Sequence, residues 1–153
     1  MSMEDLSREI ILDHYQNPRN HGRLEHPTLA NRGHNPLCGD EIDLSYRLDN
    51  GTGAAIGFTG RGCSISQASA SMLCEAVTGM SAESAARLAE RFRAMLTGDG
   101  SLSEDDDIGD LEALRGVRAY PVRVKCATLV WNALLEGLSA VPATTASATR
   151  IEK

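Results

Sequence analysis

Four cysteines and one aspartate are the side chains of this sequence best suited to chemistry. Cys38-Gly39-Asp40 places a thiol and a carboxylate two positions apart. Gly39, without a β-carbon, permits a turn tight enough for both to meet one ion. Cys63, between Gly62 and Ser64, stands where a helix is predicted to begin, and the N-terminal end of a helix favours a thiolate. Cys126 lies near the start of the last predicted helix, on its apolar face, with Arg123 and Lys125 beside it; nearby cations lower a thiol's pKa. Cys74 falls mid-helix among small residues and reads as packing. Three thiolates and a carboxylate are a sufficient donor set for a tetrahedral zinc ion. No CxxC pair marks them as one, however. Each segment also has a plain reading as a turn, a bend or a buried thiol, and spacing alone leaves both open. His14, His21, His26 and His34 all precede Cys38; His34 is near enough to be a spare ligand, though a loop histidine is more often simply solvated. No Ser/His/Asp triad, phosphate-binding loop or dinucleotide fingerprint is apparent.

The elements that must position these residues follow from periodicity. Leu6, Ile10 and Ile11 share one face of a predicted helix over Leu6–Tyr15, stopped by Pro18 and Gly22. Thr28–Gly39 reads as loop, with Asn35-Pro36 as a turn and a further strand near Asn31–His34. Ile42, Leu44 and Tyr46 alternate with polar residues, and Asp49-Asn50-Gly51 turns the chain into a second strand over Ala55–Thr59, an antiparallel hairpin. After Gly60-Arg61-Gly62 the period becomes helical, with Ile65, Ala68, Met72 and Ala76 in one stripe that Gly79 ends. Ser81 caps a further helix running to about Leu96. Residues 98–109 are acidic and small and read as a solvated loop. A short helix over Ile108–Leu114 comes next. Val122, Cys126, Leu129, Val130, Ala133 and Leu134 then mark a last amphipathic helix, closed by Gly137 and Pro142.

The chain has 153 residues, 42% of them hydrophobic and 24% charged, the make-up of one ordinary globular domain. The expected organisation is one domain over residues 1–140 and a disordered tail over 141–153, rich in Ala, Thr and Ser. A net charge of -6 argues against nucleic acid and anionic membranes as main partners and leans toward a basic protein partner. The N-terminus has no secretory apolar core and no stretch is long enough to span a membrane, so a cytoplasmic protein is expected. Thiols there stay reduced, which favours metal binding or reactivity over two disulfides.

Four segments together resemble the U-type iron–sulfur scaffold family. They are Ile11-Leu12-Asp13-His14-Tyr15-Gln16-Asn17-Pro18-Arg19-Asn20, Asn35-Pro36-Leu37-Cys38-Gly39-Asp40, Gly60-Arg61-Gly62-Cys63-Ser64-Ile65-Ser66 and Val124-Lys125-Cys126-Ala127. The resemblance spans roughly Leu6–Leu138 and implies an α+β fold, with a small antiparallel sheet of about three strands packed against helices and the ligands at one end. It implies Cys38, Asp40, Cys63 and Cys126 as metal ligands, Cys38 as sulfur acceptor and Arg123 as electrostatic support. Cluster-building members carry histidine immediately before the third cysteine. Lys125 stands there, and with the acidic stretch between the second and third cysteines it is similar to the SufU branch. That branch implies a zinc-dependent sulfurtransferase-type carrier. Its partners would be a SufS-type cysteine desulfurase, which supplies persulfide sulfur, and downstream iron–sulfur assembly proteins. Two other functions share the ligands: a scaffold that assembles an iron–sulfur cluster, and a structural zinc-binding interaction module.

Overall fold

A computed structural model describes residues 3–36, 39–50, 52–97 and 109–140. The elements are α1 (Met3–Gln16), β1 (Leu29–Asn35), β2 (Asp40–Asp49), β3 (Thr52–Arg61), α2 (Ser64–Val77), α3 (Ala82–Thr97), a run of 3-10 turns (Gly109–Ala119) and α4 (Pro121–Ala140). The strands form one antiparallel sheet in the order β1-β2-β3, so the architecture is α+β as expected. Ile42, Leu44 and Tyr46 of β2 are buried by their alternation, and Asn50, at φ +55°, takes the left-handed conformation that a two-residue hairpin loop asks for. The segment read mainly as loop is a seven-residue strand, β1, paired with β2 from Leu29↔Tyr46 to Asn35↔Asp40. Its polar sequence hid it, because only alternate positions are buried.

The helices close over the sheet around α2 and α4. α2 is buried nearly all round, on Ser66, Ser69 and Ser71 as well as on Ala68, Met72, Leu73 and Cys74. Its small side chains let neighbours approach closely. Ser69 Oγ donates to the Ala127 carbonyl at 2.6 Å and accepts from Trp131 Nε1 at 3.0 Å, tying α2 to α4. Trp131 stacks on Phe92 of α3 at 4.7 Å. Ser81 does cap α3, its hydroxyl accepting from Ser84 N–H at 3.0 Å.

Several predicted boundaries shift. α4 runs through Gly137 because that glycine makes room for Leu29; a Cβ there would lie 2.8 Å from Leu29 Cδ1. Val122, placed on the apolar face, is exposed, as is Leu6 of α1. The inward face of α1 is Ile10, Ile11 and His14, with His14 fully buried. The short helix near 108–114 extends to Ala119. The acidic residues 98–108 and the tail 141–153 lie outside the described residues. Among the described residues no helix is long and apolar enough to cross a membrane.

Candidate metal centre

Three of the four predicted ligands come together where the sheet meets the N-termini of α2 and α4. Asp40 opens β2 opposite Asn35, the last rung of the β1–β2 ladder. β3 ends at Arg61, opposite Glu41, so the chain turns past Asp40 through Gly62. Gly62 has φ +145°, and a Cβ there would collide with Asp40 Oδ1 and lie 2.9 Å from its Cα and Cγ. Glycine fits here because the Asp40 carboxylate occupies the space that a Cβ would take.

Cys63 is the N-cap of α2 and makes no side-chain capping bond, so its thiol is not spent on the helix end. Its backbone N–H donates to Asp40 Oδ1 at 2.8 Å, while its Sγ lies 3.9 Å from Oδ2. The N-terminal end of α2 therefore faces both groups. Cys126 sits one turn inside α4, between exposed Lys125 and buried Ala127. Asn35 Nδ2 approaches Cys126 Sγ at 4.0 Å. Asn35, read from the sequence only as a turn residue, thus belongs to the site. Its signal was its place three residues before Cys38 in the same motif.

Ligand atoms of Asp40, Cys63 and Cys126 all lie within 4.8 Å of one another. Asp40 and Cys126 are buried and Cys63 is partly exposed. Among the described residues no lysine, arginine or histidine pairs with Asp40. A fully buried carboxylate facing two thiols, without a cationic side chain, is costly as an anion unless a cation is supplied. Ligands on a tetrahedral zinc stand about 3.5–3.8 Å apart, given bonds of about 2.0–2.3 Å, so the donor set and its spacing fit such an ion.

Cys38 lies outside the described residues. Next to it, Gly39, at φ +72°, donates its N–H to the Asn35 carbonyl at 2.9 Å. Arg123 is exposed and its guanidinium lies over the Tyr120 ring, 4.9 Å from the centroid. Cys74 is fully buried and its thiol is pushed up to about 12 by burial, in keeping with packing. His34 is exposed on β1.

A second group was not foreseen. His14 Nε2 lies 2.8 Å from Asp110 Oδ2 and 3.8 Å from Glu75 Oε1, and Nδ1 lies 2.8 Å from Ser71 Oγ. The Arg19 N–H also donates to Ser71 Oγ at 2.8 Å. A Ser/His/Asp arrangement therefore exists in space although no motif announced it. His14 and Ser71 are both at 0% exposure, so the hydroxyl cannot meet a substrate. The chain of hydrogen bonds instead locks α1, α2 and the 3-10 stretch together, and His14 is a structural residue.

Comparison with known proteins identifies the family. Residues 6–127 match the family model described as the NifU-like N terminal domain. The chain is 43% identical over 138 residues to the zinc-dependent sulfurtransferase SufU of Bacillus subtilis, covering 90% of this chain and 92% of that protein. It is 40% identical over 136 residues to the iron–sulfur cluster assembly scaffold protein IscU of Streptococcus pyogenes, covering 89% and 84%. A crystal structure from Fervidobacterium islandicum AW-1, named as a candidate iron–sulfur cluster assembly scaffold protein for the SUF system, superposes with a TM-score of 0.79. It is 31% identical and covers 85% of this chain and 94% of that one.

Proposed function

The chain belongs to the NifU-like N-terminal domain family of iron–sulfur cluster assembly proteins, and we propose that within it the protein is a zinc-binding sulfur carrier that accepts persulfide sulfur on Cys38 from a SufS-type cysteine desulfurase. The observation that carries the metal is the buried Asp40 carboxylate, facing Cys63 and Cys126 with no cationic side chain paired to it among the described residues. Cys38, two residues from Asp40 in the chain, completes a four-ligand set. Such an ion would keep its cysteines deprotonated at neutral pH, since a thiol loses its proton to coordinate.

The chain's own residues divide the labour. Cys63 is fixed at a helix N-cap and Cys126 is buried on α4. Cys38 stands between Pro36 and Gly39 in the connection joining β1 to β2. We therefore assign Cys38 as the ligand that leaves the set and attacks. Its thiolate attacks the terminal sulfur of the donor's persulfide, the donor's S–S bond breaks, and the donor cysteine departs as thiolate. Cys38 then carries the added sulfur for delivery to downstream iron–sulfur assembly proteins. Arg123, one turn before Cys126, offers electrostatic support to the anions of this exchange.

Lys125 stands where cluster-building members carry histidine, which favours transfer over assembly of a cluster on the same ligands. Elemental analysis of protein purified without added metal decides between them. One zinc per chain is expected; iron with acid-labile sulfide and no zinc would establish the scaffold instead. Mass spectrometry after incubation with desulfurase and cysteine should show one extra sulfur on the peptide bearing Cys38, and none after Cys38→Ala.

A further inference from the structure

β1 lies against α4, and three contacts set their alignment. Asn31 Nδ2 donates to the Ala133 carbonyl at 3.0 Å. Gly33 stands against Leu129, where a Cβ would come within 3.0 Å of the Leu129 side chain. Asn35 Nδ2 donates to Cys126 Sγ at 4.0 Å. As β1 runs forward, its contacts step back along α4 by about one helical turn each. The missing side chain at Gly33 lets the strand lie close enough for Asn35 to reach the thiol. The Asn35 backbone is held from several sides. It pairs opposite Asp40 on the last rung of the β1–β2 ladder, and its carbonyl accepts from the Gly39 N–H at 2.9 Å. Pro36 after it keeps its backbone extended. The residue is buried, so its amide is aimed at Cys126 from a fixed platform.

We propose that Asn35 is a positioning residue of the metal centre: its amide donates to the Cys126 thiolate and keeps that sulfur on the ion while Cys38 departs to take up sulfur. The inference rests on the zinc-carrier reading above and assigns a role to a residue that is not itself a ligand. Three thiolates and a carboxylate outweigh a divalent ion by two negative charges. A buried centre of that charge depends on N–H groups aimed at its ligands. Asp40 receives one from the Cys63 backbone at 2.8 Å, and Cys126 receives one from Asn35. When Cys38 leaves, Asp40, Cys63 and Cys126 must retain the ion by themselves. A donor on Cys126 draws charge from that sulfur and fixes its direction, so it remains a ligand and not a second nucleophile.

The test compares Asn35→Leu with Asn31→Leu in the full-length chain. Both variants exchange an amide for a similar apolar volume and remove a β1–α4 bond, but Asn31 bonds a carbonyl and not a thiol. Zinc competition against a chromogenic chelator should show about 10- to 100-fold weaker binding for Asn35→Leu. Asn31→Leu should stay within about threefold of the unaltered protein. Cobalt in place of zinc reads the bond directly. An N–H donor stabilises the sulfur lone pairs, so its loss should move the sulfur-to-cobalt absorption to longer wavelength while the ligand-field bands, which report coordination geometry, stay in place. Asn35→Ala should give the same displacement if Asn35→Leu does not fold. An unmoved sulfur-to-cobalt band, or equal zinc affinities for the Asn35 and Asn31 variants, would overturn the proposal. Sulfur loading is followed separately by mass spectrometry of the unaltered protein. If Cys38 takes up no sulfur yet the band moves and affinity falls in Asn35→Leu, the role of Asn35 on Cys126 stands and the acceptor assignment falls. If Cys38 is loaded normally and the band does not move, the role of Asn35 falls alone.

Discussion

Replacing Gly62 with alanine should dismantle the metal centre from a position that carries no ligand. The new methyl group would collide with Asp40 Oδ1 and stand 2.9 Å from Asp40 Cα and Cγ, so the carboxylate must move. Two costs follow. Holding alanine at φ +145° costs about 1–3 kcal/mol. Pulling Asp40 away from the Cys63 N–H, now 2.8 Å from Oδ1, forfeits a hydrogen bond to a charged acceptor, about 1.5–3 kcal/mol. Gly79→Ala is the matched control: it also sits at positive φ, +90°, but a Cβ there meets nothing within 4 Å. It should carry the strain alone. The difference between the two variants therefore isolates the displaced carboxylate. Urea unfolding of the metal-free forms should place Gly62→Ala about 1.5–3 kcal/mol below Gly79→Ala. Zinc competition against a chromogenic chelator should show roughly 100-fold weaker binding for Gly62→Ala, since a ligand and not merely its support is moved, and no change for Gly79→Ala. Equal stability losses, together with zinc affinity for Gly62→Ala within threefold of the unaltered protein, would refute the assignment of Asp40.

Cys63→Ser and Cys126→Ser should each purify without zinc and melt lower, because ligation free energy is also folding free energy. Cys74→Ser should keep its zinc, and elemental analysis of all three variants reads this directly; zinc loss from Cys74→Ser would invalidate the ligand set. Alkaline pH should destabilise the fold through two buried acids. The Cys74 thiol and the Tyr46 phenol, whose oxygen is buried without a hydrogen-bond partner among the described residues, are both pushed up to about 12 from ordinary values of 9.0 and 10.0, by burial that disfavours the anion. The native state thus holds these protons longer than the unfolded chain. Stability is complete below pH 9 and falls toward pH 12, by up to about 1.4 kcal/mol per pH unit for each group. Urea midpoints of the metal-free protein between pH 8 and 11 should show this decline, and Cys74→Ala should delay its onset to about pH 10; an identical decline in that variant would remove Cys74 as a cause.

Most of the elements, and the order of the ligand motifs, were legible in the sequence because they rest on local rules. Alternation in Ile42-Asp43-Leu44-Ser45-Tyr46 marks a strand buried on one face, and the hydroxyl of Ser81 accepts from the Ser84 N–H within one turn of itself. Cys63 at a helix start follows from the glycines before it and the periodicity after it. What local rules cannot contain is which distant groups share a space. That Gly62 is held by Asp40, that Asn35 reaches Cys126, and that His14 joins Ser71 and Asp110 depend on contacts 22 to 96 positions apart. β1 escaped clear recognition for the same reason, since its polar side chains become strand only by pairing with β2. Sequence specified the donor atoms; packing decided which of them share a centre, because burial and charge pairing act through space.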